Sequence, residues 1–410
     1  MKKCKYLVLG GGISGLFFGN RYKNEDFLIL EKDSECGGYC RTIKRNGYIW
    51  DYAGHFFHFT NEQLKNEFKN IFKDSVKRIK NTKIFYKSKL IDYPFQKNIH
   101  QLPKQEMIEC LVGLFEKIEC SEYSNFLQML YGKFGIGITE KFLKPYNEKL
   151  YACDLNKLDV EAMGRFFPYA NVKDIILNMK TKNNTSYNNE FYYPKEGAQS
   201  YIDHLLKNIN QEKILLNENV EEIDIFNKIV YTNKNIYNYE FLISSIPLNK
   251  FLKKSNIHTN TEFSYNKVLV FNLGFDKDSL NKDVHWIYVP DKNINFYRIG
   301  FYNNIIGSEK LSMYVEIGFS ENDDINIDKE LKDTLLNLKK MKIIDEHNLV
   351  DYNAIIMDPA YVHITKESLK TVNKLKEDMQ KMGIYFIGRY GKWTYCSIED
   401  CMKDVMELKL

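Results

Sequence analysis

Hydrophobic and polar positions follow different periods in three parts of the chain. In residues 1–80, the apolar runs YLVL (6–9) and FLIL (27–30) flank glycines and a helix that opens at SGLFFGNRY, which predicts a strand, a helix and a strand. Residues 104–182 carry apolar residues at helical spacing and predict a helical insertion. Residues 263–320 alternate apolar and polar positions in KVLVFNLGF, HWIYVP, FYRIGFY and LSMYVEIGF, which predicts a largely antiparallel sheet.

Shorter elements are predicted inside and between these regions. The helical part contains the segments KQEMIECLVGLFEKI, EYSNFLQMLYGKF, ITEKFLKPYNEKLYA and LDVEAMGRFF, and YGKFGIGI (131–138) is interpreted as a loop between helices. A helix at SYIDHLLKNI is followed by strands at KILLNENVEEIDI, KIVYTN and YEFLISSIPL. The C-terminal region adds a buried strand at GIYFIG, a loop, and a helix that begins near Asp400.

The order of these elements indicates an α/β fold in which a parallel-sheet domain is interrupted by other structure. A chain of 410 residues is long enough for two or three domains. We predict three units: a discontinuous Rossmann-like dinucleotide-binding domain (1–80, 196–245 and 372–410), an inserted helical domain (104–182), and a largely antiparallel sheet domain for the substrate (81–103, 183–195 and 246–371).

Three glycines between the first strand and helix carry the first functional signal. In Gly10-x-Gly12-x-x-Gly15, the first glycine makes a tight turn, the second lets the backbone approach a pyrophosphate, and the third lets helix and strand pack closely. The helix N-terminus then favours the anion. An ordinary glycine turn is the alternative for the glycines alone, but Glu31 lies 21 residues after Gly10, where such motifs place a ribose-binding acid. A carboxylate suits a free 2′-hydroxyl, so FAD or NAD fits better than NADP.

Composition and charge narrow the class of protein. With 44% hydrophobic and 14% aromatic residues the chain has ample material for a core, and a net charge of +4 without a polybasic block gives nucleic-acid binding little support. The basic start and first apolar run resemble an export signal, but the glycines would break its helix and no cleavage site follows. The run is also shorter than the roughly 20 apolar residues of a membrane span. We therefore expect no leader, no membrane span and a cytoplasmic location.

The eight cysteines predict neither a zinc site nor a disulfide framework. They form no CxxC pair, and the histidines are too scattered to complete a metal site, so no metal is predicted and free thiols are expected. Cys396 and Cys401 have the spacing used by flavin disulfide reductases. Those enzymes also need a second nicotinamide-binding fingerprint, and none is found in the chain.

Longer motifs point to a family. ILEKDSECGGYCRTI followed by GYIWDYAGHFFHF resembles the second FAD motif of the glutathione-reductase-type flavoproteins. Four later stretches, YPFQKNIHQLP (93–103), KPYNEKLYA (144–152), HWIYVPDKNINFYRIGF (285–301) and GRYGKWTYCSIED (388–400), resemble the UDP-galactopyranose mutases, especially their eukaryotic-type branch. They occur in family order, so the resemblance covers nearly the whole chain.

The resemblance implies a flavin-dependent mutase, an isomerase that interconverts pyranose and furanose forms of a UDP-sugar for surface polysaccharide synthesis. It implies bound FAD, active in its reduced form through a sugar adduct on the flavin nitrogen N5, a UDP-sugar substrate, and NAD(P)H or a reductase as electron source. The sugar, the reductant and the oligomeric state, a homo-oligomer included, are left open.

Two other functions compete with the mutase. An FAD oxidoreductase like the amine oxidases or protoporphyrinogen oxidase would share residues 1–60 and the C-terminal flavin loop, but it would not explain YPFQ or the HWIY and FYR stretches. A non-catalytic flavoprotein would not explain why His55, Trp286 and Tyr288 are present at the sugar-facing positions.

The resemblance also implies roles for individual residues. His55, Arg298 and Arg389 would be catalytic, with His55 over the flavin, although His58 is equally eligible, and Arg298 at the diphosphate. The FAD residues would be Gly10, Gly12, Ser14, Gly15, Glu31, Gly38, Arg41, Gly54, Arg389 and Asp400, the last of which could instead be a helix N-cap. The substrate residues would be Tyr93, Phe95, Gln96, Asn147, Tyr151, Arg165, Trp286, Tyr288, Arg298, Tyr361 and Tyr395.

Alternatives and departures accompany some of these roles. The YPF motif could instead be a strand with core aromatics, and Arg298 could be a solvated arginine on a sheet. Arg165 lies one residue away from the family arginine, Tyr151 replaces a family tryptophan, and the C-terminal loop is one residue shorter and lacks the family histidine. These changes affect the surroundings of the sugar and the flavin more than the nucleotide end.

Overall fold

The computed structural model describes residues 1–184 and 189–410 and contains two seven-stranded sheets. In the first sheet, strand Lys2–Leu9 pairs in parallel with Phe27–Leu30 on one side and with Ile236–Ser244 on the other. The C-terminal parts of these strands (6–9, 27–30 and 241–243) are apolar because helices and loops cover both faces of the sheet there. Ile214–Leu215, Val220–Asp224, Ile229–Thr232 and Ile384–Phe386 complete the first sheet.

The second sheet is largely antiparallel. Its strands follow one another in space in the order Leu349–Met357, Asn266–Phe275, Ser312–Ser320, Arg298–Phe301, Trp286–Tyr288, Thr82–Tyr86 and Lys89–Asp92. The pair formed by Trp286–Tyr288 and Thr82–Tyr86 is parallel, and the other neighbours are antiparallel. The predicted α/β class, with a parallel sheet and a separate, largely antiparallel one, is confirmed.

Helices surround both sheets. Ile13–Arg21, Gln199–Lys207 and Ile398–Met406 pack together over the first sheet, and Ile327–Lys340 covers one face of the second. The inserted region contributes Lys104–Glu116, Phe126–Ile138, a π-helical turn at Thr139–Leu143, Lys144–Tyr151 and Val172–Lys180. The remaining helices are Glu62–Ile71, Leu248–Lys254, Tyr302–Ile306, Lys366–Lys381 and Gly388–Gly391, with short 3₁₀ turns at Phe95–Lys97, Ile99–Gln101, Leu155–Lys157, Gly164–Phe166 and Gln211–Lys213.

Two predicted boundaries in the helical region are wrong. YGKFGIGI was expected to be a loop but belongs to helix Phe126–Ile138, where Gly135 adopts φ 69° and kinks the helix without ending it. A Cβ at Gly135 would lie 2.0 Å from the carbonyl oxygen of Gly113, so the kink also permits close packing on the neighbouring helix. The stretch LDVEAMGRFF (158–167) was expected to be helical but contains only the short 3₁₀ turn Gly164–Phe166. Gly164 has φ 48°, and Pro168 comes directly after the stretch, so a regular helix does not form.

The domain boundaries stay a prediction, although the elements follow them closely. Every strand of the first sheet falls within residues 1–80, 196–245 or 372–410. The small sheet of Val76–Ile79 and Glu190–Tyr193 links the end of the first predicted segment to the predicted segment 183–195. Residues 185–188 of that segment lie outside the described residues.

The largest core cluster fills the space between the second sheet and the inserted helices. It joins aromatic residues of the sheet, such as Trp286 and Tyr314, to helical residues such as Phe142 and Tyr146. A second cluster covers the opposite face of the sheet. Among residues 1–184 and 189–410, no helix combines the length and apolarity needed to cross a membrane.

Candidate functional site

A cleft of about 770 Å³ opens at the carboxyl ends of strands Lys2–Leu9 and Phe27–Leu30, the edge at which parallel α/β sheets bind ligands. We call it the dinucleotide cleft. Of the residues predicted to bind FAD, it is lined by Gly10, Gly12, Ser14, Glu31, Gly38, Arg41 and Arg389.

The glycine loop has the geometry that close approach of a phosphate requires. Gly10 turns the chain with φ 101°, and Gly12 caps helix Ile13–Arg21 without a side chain over its first N–H groups. A Cβ built on Gly12 would meet no atom of the described residues within 4 Å, so the loop is open towards the cleft. A Cβ on Gly15 would lie 2.0 Å from the carbonyl oxygen of Gly10, which agrees with the packing role predicted for Gly15.

Glu31 is held at the end of its strand by two backbone groups. Its Oε2 accepts a hydrogen bond from the N–H of Gly11 at 2.8 Å, and its Oε1 accepts one from the N–H of Asp33 at 2.9 Å. The side chain is buried, and each oxygen keeps a lone pair for a further donor. The carboxylate is therefore held in a fixed orientation and can accept further hydrogen bonds.

A second cavity of about 240 Å³ lies between the second sheet and the inserted helices. We call it the central cavity. Its walls are rich in tyrosine residues, namely Tyr93, Tyr146, Tyr288, Tyr297, Tyr314, Tyr361 and Tyr395. The two cavities share part of their walls: His55, Met357, Arg389, Cys396, Ser397 and Ile398 line both. A group in the dinucleotide cleft and a group in the central cavity would therefore meet at these residues.

His55 stands at this junction as a neutral side chain. Burial lowers the pKa of His55 to about 4, with further lowering by the charges of Arg389 and Arg298 and a small opposing effect from a hydrogen bond to the Ala53 backbone. Its Nδ1 is buried without a hydrogen-bond partner among the described residues. His58 also lines the central cavity, but its Nδ1 already lies 3.1 Å from the carbonyl oxygen of Glu190. An uncommitted polar atom thus distinguishes His55 from His58.

Arg298 is placed in the central cavity by strand register. It lies opposite Glu316 and Tyr288 on the two neighbouring strands, so the three side chains share one face of the sheet. Its Nε and Nη2 donate to the two carboxylate oxygens of Glu316 at 2.7 and 2.6 Å. Burial lowers the pKa of Arg298, but Glu316 outweighs that effect and holds the pKa well above its ordinary value. Arg298 is therefore a permanent cation in a fixed orientation.

Arg389 provides a second buried cation at the junction. Its Nε and Nη2 donate to the carbonyl oxygen of Cys396 at 3.2 and 2.5 Å. The guanidinium lies over the rings of Tyr361 and Tyr395, which stack on each other with centroids 5.7 Å apart. Both tyrosines were predicted at the site, and the structure brings them into the same cavity as both arginines.

The predicted residues divide into those that line a cavity and those that lie behind one. Of the predicted substrate and catalytic residues, the central cavity is lined by His55, Tyr93, Asn147, Trp286, Tyr288, Arg298, Tyr361, Arg389 and Tyr395. Gly54, which was predicted to bind FAD, also lines this cavity and not the dinucleotide cleft. Arg298 is only 22% exposed at its side chain, so the alternative of a solvated arginine is wrong.

Phe95 and Gln96 were predicted to bind the substrate, but they lie in the protein core. Phe95 is fully buried and stacks on Phe142 with centroids 5.1 Å apart. The Nε2 of Gln96 donates to the carbonyl oxygen of Pro168. The alternative of a core aromatic in the YPF motif therefore holds for Phe95, and Tyr93 alone of the motif's two aromatics reaches the cavity.

Tyr151, Arg165 and Asp400 are also engaged away from the cavity walls. Tyr151 is buried, donates to the carbonyl oxygen of Ala162 at 3.1 Å and supports Tyr361 edge-on. Asp400 pairs with Arg165 and accepts hydrogen bonds from the N–H and Oγ of Ser397 at 2.9 Å each. Ser397, not Asp400, is the N-cap of helix Ile398–Met406, and Asp400 completes the capping box at the third helical position.

Several residues of the central cavity were missed from the sequence. Glu316 is the clearest case: in LSMYVEIGF it is a lone carboxylate in a buried apolar strand, and such a residue needs a cationic partner. Tyr146 precedes the predicted Asn147 and reaches the cavity from the same helix. Tyr297, Tyr314 and Lys80 carried no comparable signal, because their positions depend on how the two sheets and the helices meet.

Comparisons with a family model and with solved structures find the same type of fold as the one described above. The family model NAD(P)-binding Rossmann-like domain matches residues 8–74. A crystal structure of reduced UDP-galactopyranose mutase is similar with a TM-score of 0.91 and 20% sequence identity, over 98% of this chain and 94% of that chain.

Two oxidase structures are similar at lower scores. A proposed protoporphyrinogen oxidase from Exiguobacterium sp. 255-15 has a TM-score of 0.77 at 15% identity, over 98% of this chain and 97% of that one. A redesigned putrescine oxidase has a TM-score of 0.67 at 9% identity, over 98% and 97% of the two chains. The chain thus has a Rossmann-like dinucleotide-binding segment within the fold seen in UDP-galactopyranose mutase.

Proposed function

We propose that this protein is a flavin-dependent mutase that interconverts the pyranose and furanose forms of a UDP-sugar, such as UDP-galactopyranose and UDP-galactofuranose. One observation carries the proposal: a cleft built for a dinucleotide and a cavity with two fixed arginines share a wall at His55 and Arg389. The structural likeness to UDP-galactopyranose mutase supports the same reaction.

The residues of the cleft fit FAD. The open loop at Gly12 gives room for the pyrophosphate, and Glu31 is fixed to accept the ribose hydroxyls. Where the cleft meets the central cavity, the Nδ1 of His55 has no hydrogen-bond partner among the described residues, and it suits the polar edge of a flavin ring. When bound and reduced, the flavin supplies the electron-rich centre that a sugar needs to open and reclose its ring without net oxidation.

The central cavity supplies the charge and hydrogen bonds that a nucleotide sugar requires. A diphosphate carries about two negative charges, and Arg298 and Arg389 are cations that stay charged at any physiological pH. Tyr361 and Tyr395 place hydroxyls beside them. As UDP leaves the sugar, negative charge grows on the diphosphate, so these groups stabilise the transition state more than the bound substrate.

The sugar end of the cavity contains polar atoms without a partner among the described residues. The Oδ1 of Asn147 is one of them, while its Nδ2 donates to the carbonyl oxygen of Leu143 at 2.6 Å. Trp286 stacks on Phe56 at a centroid distance of 5.5 Å, and its Nε1 is also unpaired at hydrogen-bond geometry. We propose that Asn147 and Trp286 orient the sugar hydroxyls, while His55 acts as a neutral hydrogen-bonding group toward the flavin.

The proposal extends to features that rest on the sequence resemblance alone. NAD(P)H or a reductase would supply the electrons. The enzyme would act in the cytoplasm, and its product would be used in the synthesis of surface polysaccharides.

The proposal is tested by incubating the purified yellow protein with UDP-galactofuranose, with and without dithionite, under nitrogen. We expect UDP-galactopyranose to appear only in the dithionite sample. No conversion of any UDP-sugar by the fully reduced protein would contradict the proposal.

The second candidate is an FAD oxidase that consumes oxygen, favoured by the likeness to the proposed protoporphyrinogen oxidase and to putrescine oxidase. Such an enzyme would form hydrogen peroxide from an amine or a porphyrinogen in air. The two arginines in the central cavity favour an anionic substrate over an amine. If the protein produced peroxide from a polyamine and converted no nucleotide sugar, the oxidase would become the favoured candidate.

A further inference from the structure

Cys396 and Cys401 form a close pair of thiols at the start of helix Ile398–Met406. Their sulfur atoms are 3.7 Å apart, and both side chains are buried. Cys396 precedes the N-cap Ser397, and Cys401 is the fourth helical residue. These are the two positions of a hydrophobic staple, so the capping box and the staple together fix the two sulfurs next to each other.

A hydrophobic staple requires only two apolar side chains at these positions. The position of the two cysteines at the cavities and next to Arg389 is not explained by a staple. Both cysteines line the dinucleotide cleft, and Cys396 lines the central cavity as well. The guanidinium of Arg389 is bound to the backbone of Cys396, which places a permanent cation beside the thiols. The pair therefore lies in the wall of the cleft proposed for the flavin, and Cys396 lies where that cleft meets the cavity proposed for the sugar.

The thiols also differ in acidity. A hydrogen bond from Cys396 lowers the pKa of the Cys401 thiol, and the charge of Arg389 lowers it further, while burial opposes both effects. The pKa of Cys396 is raised by the same hydrogen bond and by burial. Cys401 is therefore the thiol of the pair that loses its proton more readily, which favours thiol–disulfide exchange.

We propose that Cys396 and Cys401 are a redox-active dithiol that closes to a disulfide and delivers its two electrons to the flavin in the cleft. The inference rests on the proposed function, since it needs the flavin, and it names a dithiol as the class of reductant that serves the same site.

The step balances in atoms and electrons. Each thiol gives up one proton and one electron, a sulfur–sulfur bond forms, and oxidised flavin takes up the two electrons and two protons. An external dithiol then attacks the disulfide, forms a mixed disulfide, and leaves as its own disulfide with both protein thiols restored. Because a disulfide is about 2.05 Å long, the sulfurs must approach each other by roughly 1.6 Å. Cys396 lies before the helix begins, so its backbone can move without breaking helical hydrogen bonds.

The test follows the loss of yellow colour when dithiothreitol is added to the flavin-loaded protein under nitrogen. We compare wild type with Cys396→Ala and Cys401→Ala, and with Cys110→Ala, whose thiol is buried in the core beside the inserted helices. Flavin content and melting temperature are measured for each variant. We expect bleaching at least about tenfold slower in the Cys396 and Cys401 variants, and unchanged in the Cys110 variant.

A second measurement keeps the inference testable if a variant fails to fold. Wild-type protein with oxidised flavin and reduced thiols is held under nitrogen without added reductant, then denatured in acid, and its free thiols are labelled and mapped. We expect Cys396 and Cys401 to be protected together as the flavin bleaches. Equal bleaching rates in all folded variants, or a flavin that stays yellow under nitrogen while both thiols remain fully labelled, would overturn the inference.

The proposed function can fail separately. Wild type that is fully reduced by dithionite but converts no UDP-sugar would contradict the mutase, and the dithiol result would still stand. Wild type that converts the sugar while its thiols take no part in flavin reduction would contradict only the dithiol.

Discussion

The orientation of Arg298 depends on Glu316, which lies opposite it on the neighbouring strand. Glu316 occupies the Nε–Nη2 edge of the guanidinium, which leaves Nη1 to reach a diphosphate. Glu316 itself is buried, so removal of its partner leaves an uncompensated carboxylate, a change that costs about 3–5 kcal/mol of stability. Arg298 therefore contributes to folding as well as to the proposed substrate binding.

We expect Arg298→Ala to weaken UDP binding by about 1.5–3 kcal/mol, roughly 10- to 150-fold, and to slow turnover as well. Arg298→Lys keeps the positive charge but loses the forked set of N–H donors, so its loss of UDP affinity and of turnover should be smaller. Calorimetric titration of UDP and kinetics of fully reduced enzyme measure both effects.

The matched control is the double variant Arg298→Ala, Glu316→Ala. It should recover the melting temperature lost in Arg298→Ala, because no buried charge is left unpaired, while UDP binding stays weak. Wild-type UDP affinity in either alanine variant would remove Arg298 from the site.

Phe95 and Tyr93 separate core packing from base binding within one short motif. Phe95→Ala removes a fully buried ring and should destabilise the fold by about 3–5 kcal/mol with UDP affinity nearly unchanged. Tyr93 faces the central cavity beside Tyr288, so Tyr93→Ala should weaken UDP binding by about 1–3 kcal/mol, the scale of one lost aromatic–base stack. Chemical denaturation and UDP titration measure the two effects. The opposite pattern would place the base against Phe95.

Among the elements, the first strand, its glycine loop and the following helix were predictable from the sequence. The apolar runs, the glycine spacing and Glu31 are local signals, and the structure reproduces each within a few residues. Long antiparallel strands were predictable for the same reason. The kinked helix Phe126–Ile138 was not, because its glycines look like a loop and only packing against Gly113 explains them.

Gly12→Ala tests the glycine loop as an element. Its φ is −75°, and a Cβ would meet no atom of the described residues within 4 Å, so the protein itself should fold normally. The methyl group would occupy the space in which the pyrophosphate approaches, an overpacking cost of about 1–3 kcal/mol, or roughly 5- to 150-fold in FAD affinity.

FAD content after purification and melting of the flavin-free protein measure the two sides of this prediction. Gly15→Ala is the contrasting variant, because its Cβ would collide with Gly10 and the fold itself should suffer. Full FAD content in a folded Gly12→Ala protein would place the pyrophosphate elsewhere.

For the whole molecule, three histidines with lowered pKa values predict sensitivity to mild acid. Burial is the main cause that lowers the pKa of His55, His58 and His285 to about 4, against an ordinary value near 6.5. Between these values the unfolded chain binds more protons than the folded one, so stability falls as pH falls from about 6.5 to about 4. Asp51, whose pKa burial raises to about 6, acts in the opposite direction.

We expect each histidine to cost about 1–2 kcal/mol between pH 7 and pH 5 and Asp51 to return about 1 kcal/mol, so the melting temperature should drop. His285→Gln should reduce the drop, since an amide can accept the hydrogen bond that Asn81 donates to His285 Nδ1. His258→Gln is the control, because His258 is exposed. A melting temperature that is equal or higher at pH 5 would contradict this prediction.

The site as a whole was predictable only in part. Residues fixed by a motif and by strand alternation, such as Glu31, Trp286, Tyr288 and Arg298, face a cavity as predicted. Phe95 and Asp400 did not follow their motifs, because inserted helices bury the first and a capping box holds the second. The meeting of the two cavities at His55 and Arg389 depends on how distant parts of the chain pack, which no local pattern encodes.

The most direct measurement counts electrons against product. The flavin-loaded protein is reduced with dithionite under nitrogen, excess reductant is removed, and UDP-galactofuranose is added while the flavin absorbance and both UDP-sugars are followed. We predict many molecules of UDP-galactopyranose per flavin while the flavin stays reduced, because the reaction has no net oxidation. Product that stops at about one molecule per flavin as the yellow colour returns, or no product at all, would contradict the proposed mutase.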